Sequence, residues 1–196
     1  MKPSLLLPLL ALPSATAKVC SATTEWFGSY KDSIKKPNSE TTTDSDLING
    51  IGLTTDTVIS KIETSSMNRV FGIKVTLSDA DDSKLGPEHG VANDDDGFPI
   101  HRVAIPSARI QGVGLMMAEC DGDDGPWGCG FVTSFDFFYE DGSQSGNMGN
   151  LIGEHQYVNI SAYEPNAWLL GLNTVDSKDE DEPYVYAQQY IYAFEC

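Results

Sequence analysis

The chain has 196 residues, enough for one domain with a sizeable core, and it carries 29 acidic against 12 basic residues, a formal charge of −17. So acidic a surface opposes nucleic acid and anionic lipid, both polyanions, and neither is expected as a partner. Beyond the N-terminus no stretch is apolar for the roughly 20 residues that a membrane helix needs, so no membrane insertion is expected.

At the N-terminus, Lys2 precedes a short apolar run (5–12) interrupted by Pro8, and Ala15-Thr16-Ala17 forms the small-x-small pattern that signal peptidase cuts after. Residues 1–17 therefore read as a signal peptide and the rest as a secreted, extracellular protein. Losing Lys2 with the leader takes the charge to −18. Residues 18–46 are polar and irregular, closing on the Ser/Thr-rich run "NSETTTDSD". They read as a polar N-terminal segment ahead of a single domain, 47–196.

From Leu47 onward, short apolar and β-branched runs alternate with clusters of Gly, Asp, Asn and Pro. The pattern predicts strands over 58–63, 70–77, 101–105, 110–118, 131–139, 157–161, 168–174 and 184–194, the last as one bulged strand or two. No segment keeps a 3.6-residue apolar period for three turns. The fold class is all-β.

Four cysteines, Cys20, Cys120, Cys129 and Cys196, follow the leader. An even count in an exported chain reads as two disulfides, for which there are three pairings. Cys120 and Cys129 flank a Gly- and Asp-rich turn and can meet locally, which leaves Cys20 to pair with Cys196. Zinc is the competing reading. It is disfavoured because there is no Cys-x-x-Cys and the histidines (His89, His101, His155) are scattered.

Two stretches match in pattern. "RVFGIKVTLSD" (69–79) aligns with "FVTSFDFFYED" (131–141), so that Val70, Ile73, Val75 and Leu77 fall on Val132, Phe135, Phe137 and Tyr139. Each is followed by a polar Gly-containing loop and then by two further strands, 101–117 and 157–175. A repeated four-strand unit suggests a fold of similar sheets. Spare strands at both ends would supply a third unit, held together by the Cys20–Cys196 bridge.

This plan resembles the β-prism of jacalin-like lectins and vitelline membrane outer layer proteins. "GPWGCGF" (125–131) is similar to the Gly-Pro-Trp-Gly-Gly turn of plant members, and "VTSFDFFYEDGSQSG" (132–146) to their strand and Tyr-x-Asp-Gly turn. "VNISAYEPNAWLLGLNTV" (158–175) resembles the strand pair that precedes their sugar loop. The resemblance implies three antiparallel four-stranded sheets; a β-sandwich is the alternative. It also implies a sugar loop of the form Gly-x-x-x-Asp. With Trp168-Leu169 placed on that loop, Leu170 stands where the aspartate should be.

Acidic loops recur at 78–90, 93–97, 120–125 and 176–183. Calcium needs six to eight oxygens and such loops supply them, although none has EF-hand spacing. Solvated acidic turns are the commoner explanation, and no cofactor is expected beyond calcium at these loops. Asp121, Asp123 and Asp124 share one disulfide-flanked turn with Trp127. Carboxylates for hydroxyls and an aromatic face for a pyranose make these four the candidate ligand-binding residues. Trp127 could equally pack within its loop. No catalytic residue is assigned, since Gly-x-Ser-x-Gly and His-Glu-x-x-His are both missing. Asn159-Ile160-Ser161 is the one glycosylation sequon. A glycan on Asn159 requires that side chain to face solvent, with Val158 and Ile160 facing the core.

The leading function is then a secreted, non-catalytic, lectin-like carbohydrate binder whose partners are glycans or matrix and cell-wall components. The alternative is a structural extracellular or cell-wall protein that self-assembles or binds matrix, as a homo-oligomer. A glycan-active hydrolase ranks third.

Overall fold

A computed structural model describes residues 18–28, 39–66, 70–78, 86–90, 100–118, 132–149, 155–161, 164, 166–177 and 185–196. In chain order the strands are β1 (Val19–Thr23), β2 (Phe27–Gly28), β3 (Ser39–Thr43), β4 (Ile59–Ser66), β5 (Val70–Leu77), β6 (His89–Gly90), β7 (Ile100–Ala104), β8 (Ile110–Ala118), β9 (Val132–Tyr139), β10 (His155–Ser161), β11 (Trp168–Ser177) and β12 (Val185–Glu195). One short helix, α1 (Ser45–Gly50), follows β3.

They form three antiparallel sheets on one plan. The first has the order β6-β5-β4-β7, the Greek-key arrangement in which the fourth strand returns beside the first. The second has β10-β8-β9, and residues 143–148 run along the free side of β9. There Ser145 N–H donates to Phe137 O at 2.9 Å and Met148 N–H to Phe135 O at 2.7 Å. In the third sheet β12 pairs with both β1 and β2, and β11 pairs with β3. Thr24 bridges the gap between β1 and β2: its N–H donates to Tyr190 O and its hydroxyl accepts from Tyr190 N–H. The chain thus forms a β-prism of three similar sheets.

The third sheet takes its first two strands from the C-terminus and its last two from the N-terminus. Cys20 and Cys196 are disulfide-bonded with Cα atoms 5.8 Å apart, where the other two sheets have continuous chain between second and third strands. The described residues of the segment 18–46, namely 18–28 and 39–46, are therefore not irregular as its composition suggested. Its Thr-rich part is an edge strand, which needs apolar side chains on little of its surface. It contributes β1, β2 and β3, and the domain begins before residue 47.

Inside, the second strands β5, β9 and β12 approach one another, and their alternating apolar residues meet those of the first strands. Val113, Leu115, Val132, Phe135, Phe137, Ile62, Leu170 and Leu172 are all buried. All ten residues of β11 are buried: its first half, 168–172, is apolar, and the polar residues of its second half are buried as well. At one end the three first strands start together. Trp168 Nε1–H donates to Thr57 O at 2.7 Å, Arg109 donates to Thr55 O, and the Arg109 guanidinium stacks 4.2 Å from the Trp168 ring centre. The first strands therefore run in one direction. The strand predicted over 58–63 continues to Ser66, because Thr64, Ser65 and Ser66 are buried despite their polarity. The last strand is single.

Candidate functional site

The expected ligand loop, with Asp121, Asp123, Asp124, Trp127, Cys120 and Cys129, lies outside the described residues, as do the acidic runs 93–97 and 178–183. Among the described residues no three His, Cys, Asp or Glu side chains are grouped to hold a metal. The placement of Trp168-Leu169 on a sugar loop is overturned. Trp168, Leu169 and Leu170 are buried within β11, where side-chain packing on both faces selects apolar residues. The connection that follows β11 is 178–184, outside the described residues.

Two of the acidic stretches contain residues that are not solvated. His89 and Asp176, expected in acidic loops, are buried with Asp44 and Thr174 in one hydrogen-bonded line between the first and third sheets. Asp44, just before α1, accepts from Leu172 N–H on Oδ2 and faces His89 Nε2 on Oδ1, both at 3.0 Å. His89 Nδ1 lies 2.8 Å from the Thr174 hydroxyl, which lies 2.9 Å from Asp176 Oδ2. Thr42 and the backbone of Gly90 also bond the Asp176 carboxylate. Two proton arrangements satisfy the line. In both, His89 Nε2–H donates to Asp44; then either Nδ1 also carries a proton and donates to Thr174, which donates to ionised Asp176, or protonated Asp176 donates to Thr174 and Thr174 to Nδ1. Glycines make the room: a Cβ on Gly171 would sit 2.7 Å from Asp44 Oδ2, and one on Gly86 would sit 2.7 Å from Val75 O.

An Asp–His–Thr line at a surface would suit nucleophilic catalysis. Here His89 and Thr174 are both 0% exposed, so no substrate reaches them. The line is a strut that joins β6 to β11 and the start of α1. The sequence carries no signal for it, because Asp44 and His89 are 45 positions apart and His89 and Thr174 are 85 apart.

Burial, the largest influence, pushes the Asp176 carboxyl above its ordinary 3.8, against hydrogen bonds from Thr174 and Thr42. Between 3.8 and the raised value the folded state holds a proton that the unfolded state has lost, so this group's contribution to stability falls as pH rises through that window. Asp176→Asn, which cannot ionise, is expected to gain on the parent as pH is raised from about 4 to 7. Urea titrations at several pH values check this; a stability difference independent of pH would refute it.

The outward face of the second sheet is the other distinctive region. Its central strand β8 presents Gly112 and Gly114, whose neighbours across the ladder are Ser161 and Phe138, and Asn159 and Asp136. Tyr157 on β10 leans over Gly114: a Cβ there would meet the phenol oxygen at 2.3 Å. The tyrosine is nonetheless 47% exposed. Burial pushes the Asp136 carboxyl up, and burial with the nearby Asp136 charge raises the Tyr157 phenol. Asn159 is exposed on this face, while Ile160 is buried and Val158 packs against the core. A small, mostly apolar groove is also present, lined by Ala22, Thr24, Ala167, Tyr192 and Phe194 beside Glu164.

No protein-family model matches the chain, and no curated protein matches its sequence. Solved structures do match in fold. The mannose-binding lectin of Champedak is 17% identical with a TM-score of 0.57, over 93% of this chain and 100% of the lectin. The mannose-specific jacalin-related lectin of Morus nigra, in complex with mannose, is 12% identical with a TM-score of 0.57, over 94% of this chain and 99% of the lectin. The V. cholerae biofilm matrix protein Bap1 is 14% identical with a TM-score of 0.53, over 93% of this chain; the chain spans only 24% of Bap1. The fold is that of the jacalin-related lectins, a β-prism of three antiparallel sheets.

Proposed function

We propose that this chain is a secreted, non-catalytic, lectin-like carbohydrate-binding protein. The observation that carries the reading is its fold likeness to lectins along nearly their whole length, including one solved with mannose. Two features support it. The His-containing polar line is sealed in the interior and serves stability, and the leader sequence suits export. The ligand site we assign is the loop of Asp121, Asp123, Asp124 and Trp127, where carboxylates would accept sugar hydroxyls and the indole would stack on a pyranose.

A glycan array probed with and without calcium tests the reading. The expected result is retention on a defined set of glycans, mannosides among them, lost in Trp127→Ala with the fold intact. Empty arrays under both conditions would discard it. The likeness to Bap1 favours a second reading, a structural matrix component. Light scattering coupled to size-exclusion chromatography separates the two, since a strict monomer contradicts self-assembly.

A further inference from the structure

The second sheet has an outward face built unlike an ordinary solvated β surface. Glycine in a strand interior costs roughly 0.5–1 kcal/mol relative to alanine and offers nothing to pack. Yet β8 places two glycines, Gly112 and Gly114, at alternate positions, so both face the same side, where neighbouring side chains cover them. Each pairs with one member of the sequon: Gly114 with Asn159 and Gly112 with Ser161. Across Gly114 from Asn159 stands Asp136, and across Gly112 from Ser161 stands Phe138. Asn159 and Asp136 are thus about 10 Å apart, two interstrand spacings, with buried Gly114 between them under the Tyr157 phenol. Tyr157, two residues before Asn159 on the same face, lies over Gly114 with its ring partly open to solvent.

We infer that Asn159 carries an N-linked glycan whose first N-acetylglucosamine packs on this glycine-floored face beside Tyr157. The Tyr157 phenol fills the gap over Gly114 and leaves its outer side exposed, so a pyranose linked to Asn159 lies on the ring and reaches toward Asp136. The open face of Tyr157 matches the apolar face of the sugar, and the Asp136 carboxylate accepts from a hydroxyl or from the acetamido N–H. Phe138 and Met116, both half-buried and outward, lose further contact with water beneath the sugar. The glycan becomes a part of the sheet, and Tyr157 is a positioning residue for it. This inference rests on the export reading and is independent of the ligand site assigned to the loop.

The test expresses the full chain in a eukaryotic secretory host, once with its own leader and once with a proven one. Failure of the first alone bears on export; the second still reports on Asn159. Intact mass should show a glycan that is absent in Asn159→Gln. Trimming to a single N-acetylglucosamine should leave the Tm unchanged. Complete removal, like Asn159→Gln, should lower it by about 2–4 °C, the shift that roughly 1 kcal/mol produces in a domain of this size. Tyr157→Phe should keep the effect. Tyr157→Ala, or Gly114→Ala, which crowds the phenol off its seat, should lower the Tm of the glycosylated protein and have little effect on the stripped one.

An unmodified Asn159 in secreted protein would overturn the inference. So would an equal effect of Tyr157→Ala with and without the glycan. Tyr157-dependent binding of free chitobiose by Asn159→Gln, with no glycan on the parent, would instead make this face a lectin site and refute the assignment.

Discussion

Replacing Asp44 with alanine should lower stability by about 3–5 kcal/mol, the loss typical when one member of a buried polar pair is removed. Asp44 is 1% exposed and serves two partners from different parts of the chain, His89 Nε2 and Leu172 N–H. Alanine leaves both without that acceptor in a buried site that Gly86 and Gly171 have shaped around the carboxylate. The damage should pass down the line, because His89 then loses the contact that holds its ring toward Thr174. Urea unfolding of the variant and parent, with a check that the m-value is unchanged, measures the loss. Asp46→Ala, two residues further on at an exposed position in the first turn of α1, is the control and should change stability by no more than about 0.5 kcal/mol. An Asp44→Ala protein as stable as that control would show that the strut contributes nothing.

Opening the Cys20–Cys196 bridge by a double Cys→Ser substitution should cost about 2–5 kcal/mol. The bridge spans 176 positions, so it restrains almost the whole unfolded chain, and a loop of that length has much entropy to lose. Its place in the fold predicts where the effect shows. In the third sheet it stands for the peptide connection that the other sheets have between their second and third strands, so β1 loses the direct covalent link that holds it beside β12. Hydrogen exchange should accelerate at the amides of residues 19–23 and at Cys196, whose N–H donates to Lys18 O. Protection in β5 and β9 should persist. Peptide mapping without reduction should recover Cys20 linked to Cys196; a link from Cys20 to Cys120 or Cys129 would contradict the structure.

Strand periodicity was legible in the sequence wherever one face is apolar and the other wet. For β5 and β8 the predicted and observed bounds coincide, and the alternation around Asn159 correctly sends Ile160 inward. The pattern shared by 69–79 and 131–141 identifies β5 and β9 as the second strands of equivalent sheets. These are local properties: side chains alternate with a period of two, and burial of one face selects the residues. Composition likewise sets the chain's acidity and, through the leader and the cysteines, the expectation of export.

Tertiary structure decided the rest. Residues 39–43 are Ser, Glu and three Thr, without an apolar stripe, and become β3 because β11 offers them a ladder. Thr64, Ser65 and Ser66 extend β4 because they are buried between two ladders, to neighbouring β5 and to β7 from further along the chain. A strand whose partner lies far along the chain is stabilised by that partner's N–H and C=O groups, which leave no trace in its own residues. The polar line from Asp44 to Asp176 was hidden for a related reason. Its aspartates and histidine sit in runs that look like solvated turns, and only the meeting of the first and third sheets buries them and makes their hydrogen bonds obligatory. The glycine-floored face of the second sheet also depends on register. Gly112 and Gly114 acquire meaning when the ladder sets them beside Ser161 and Asn159, and a slip of one residue would turn them to the other side.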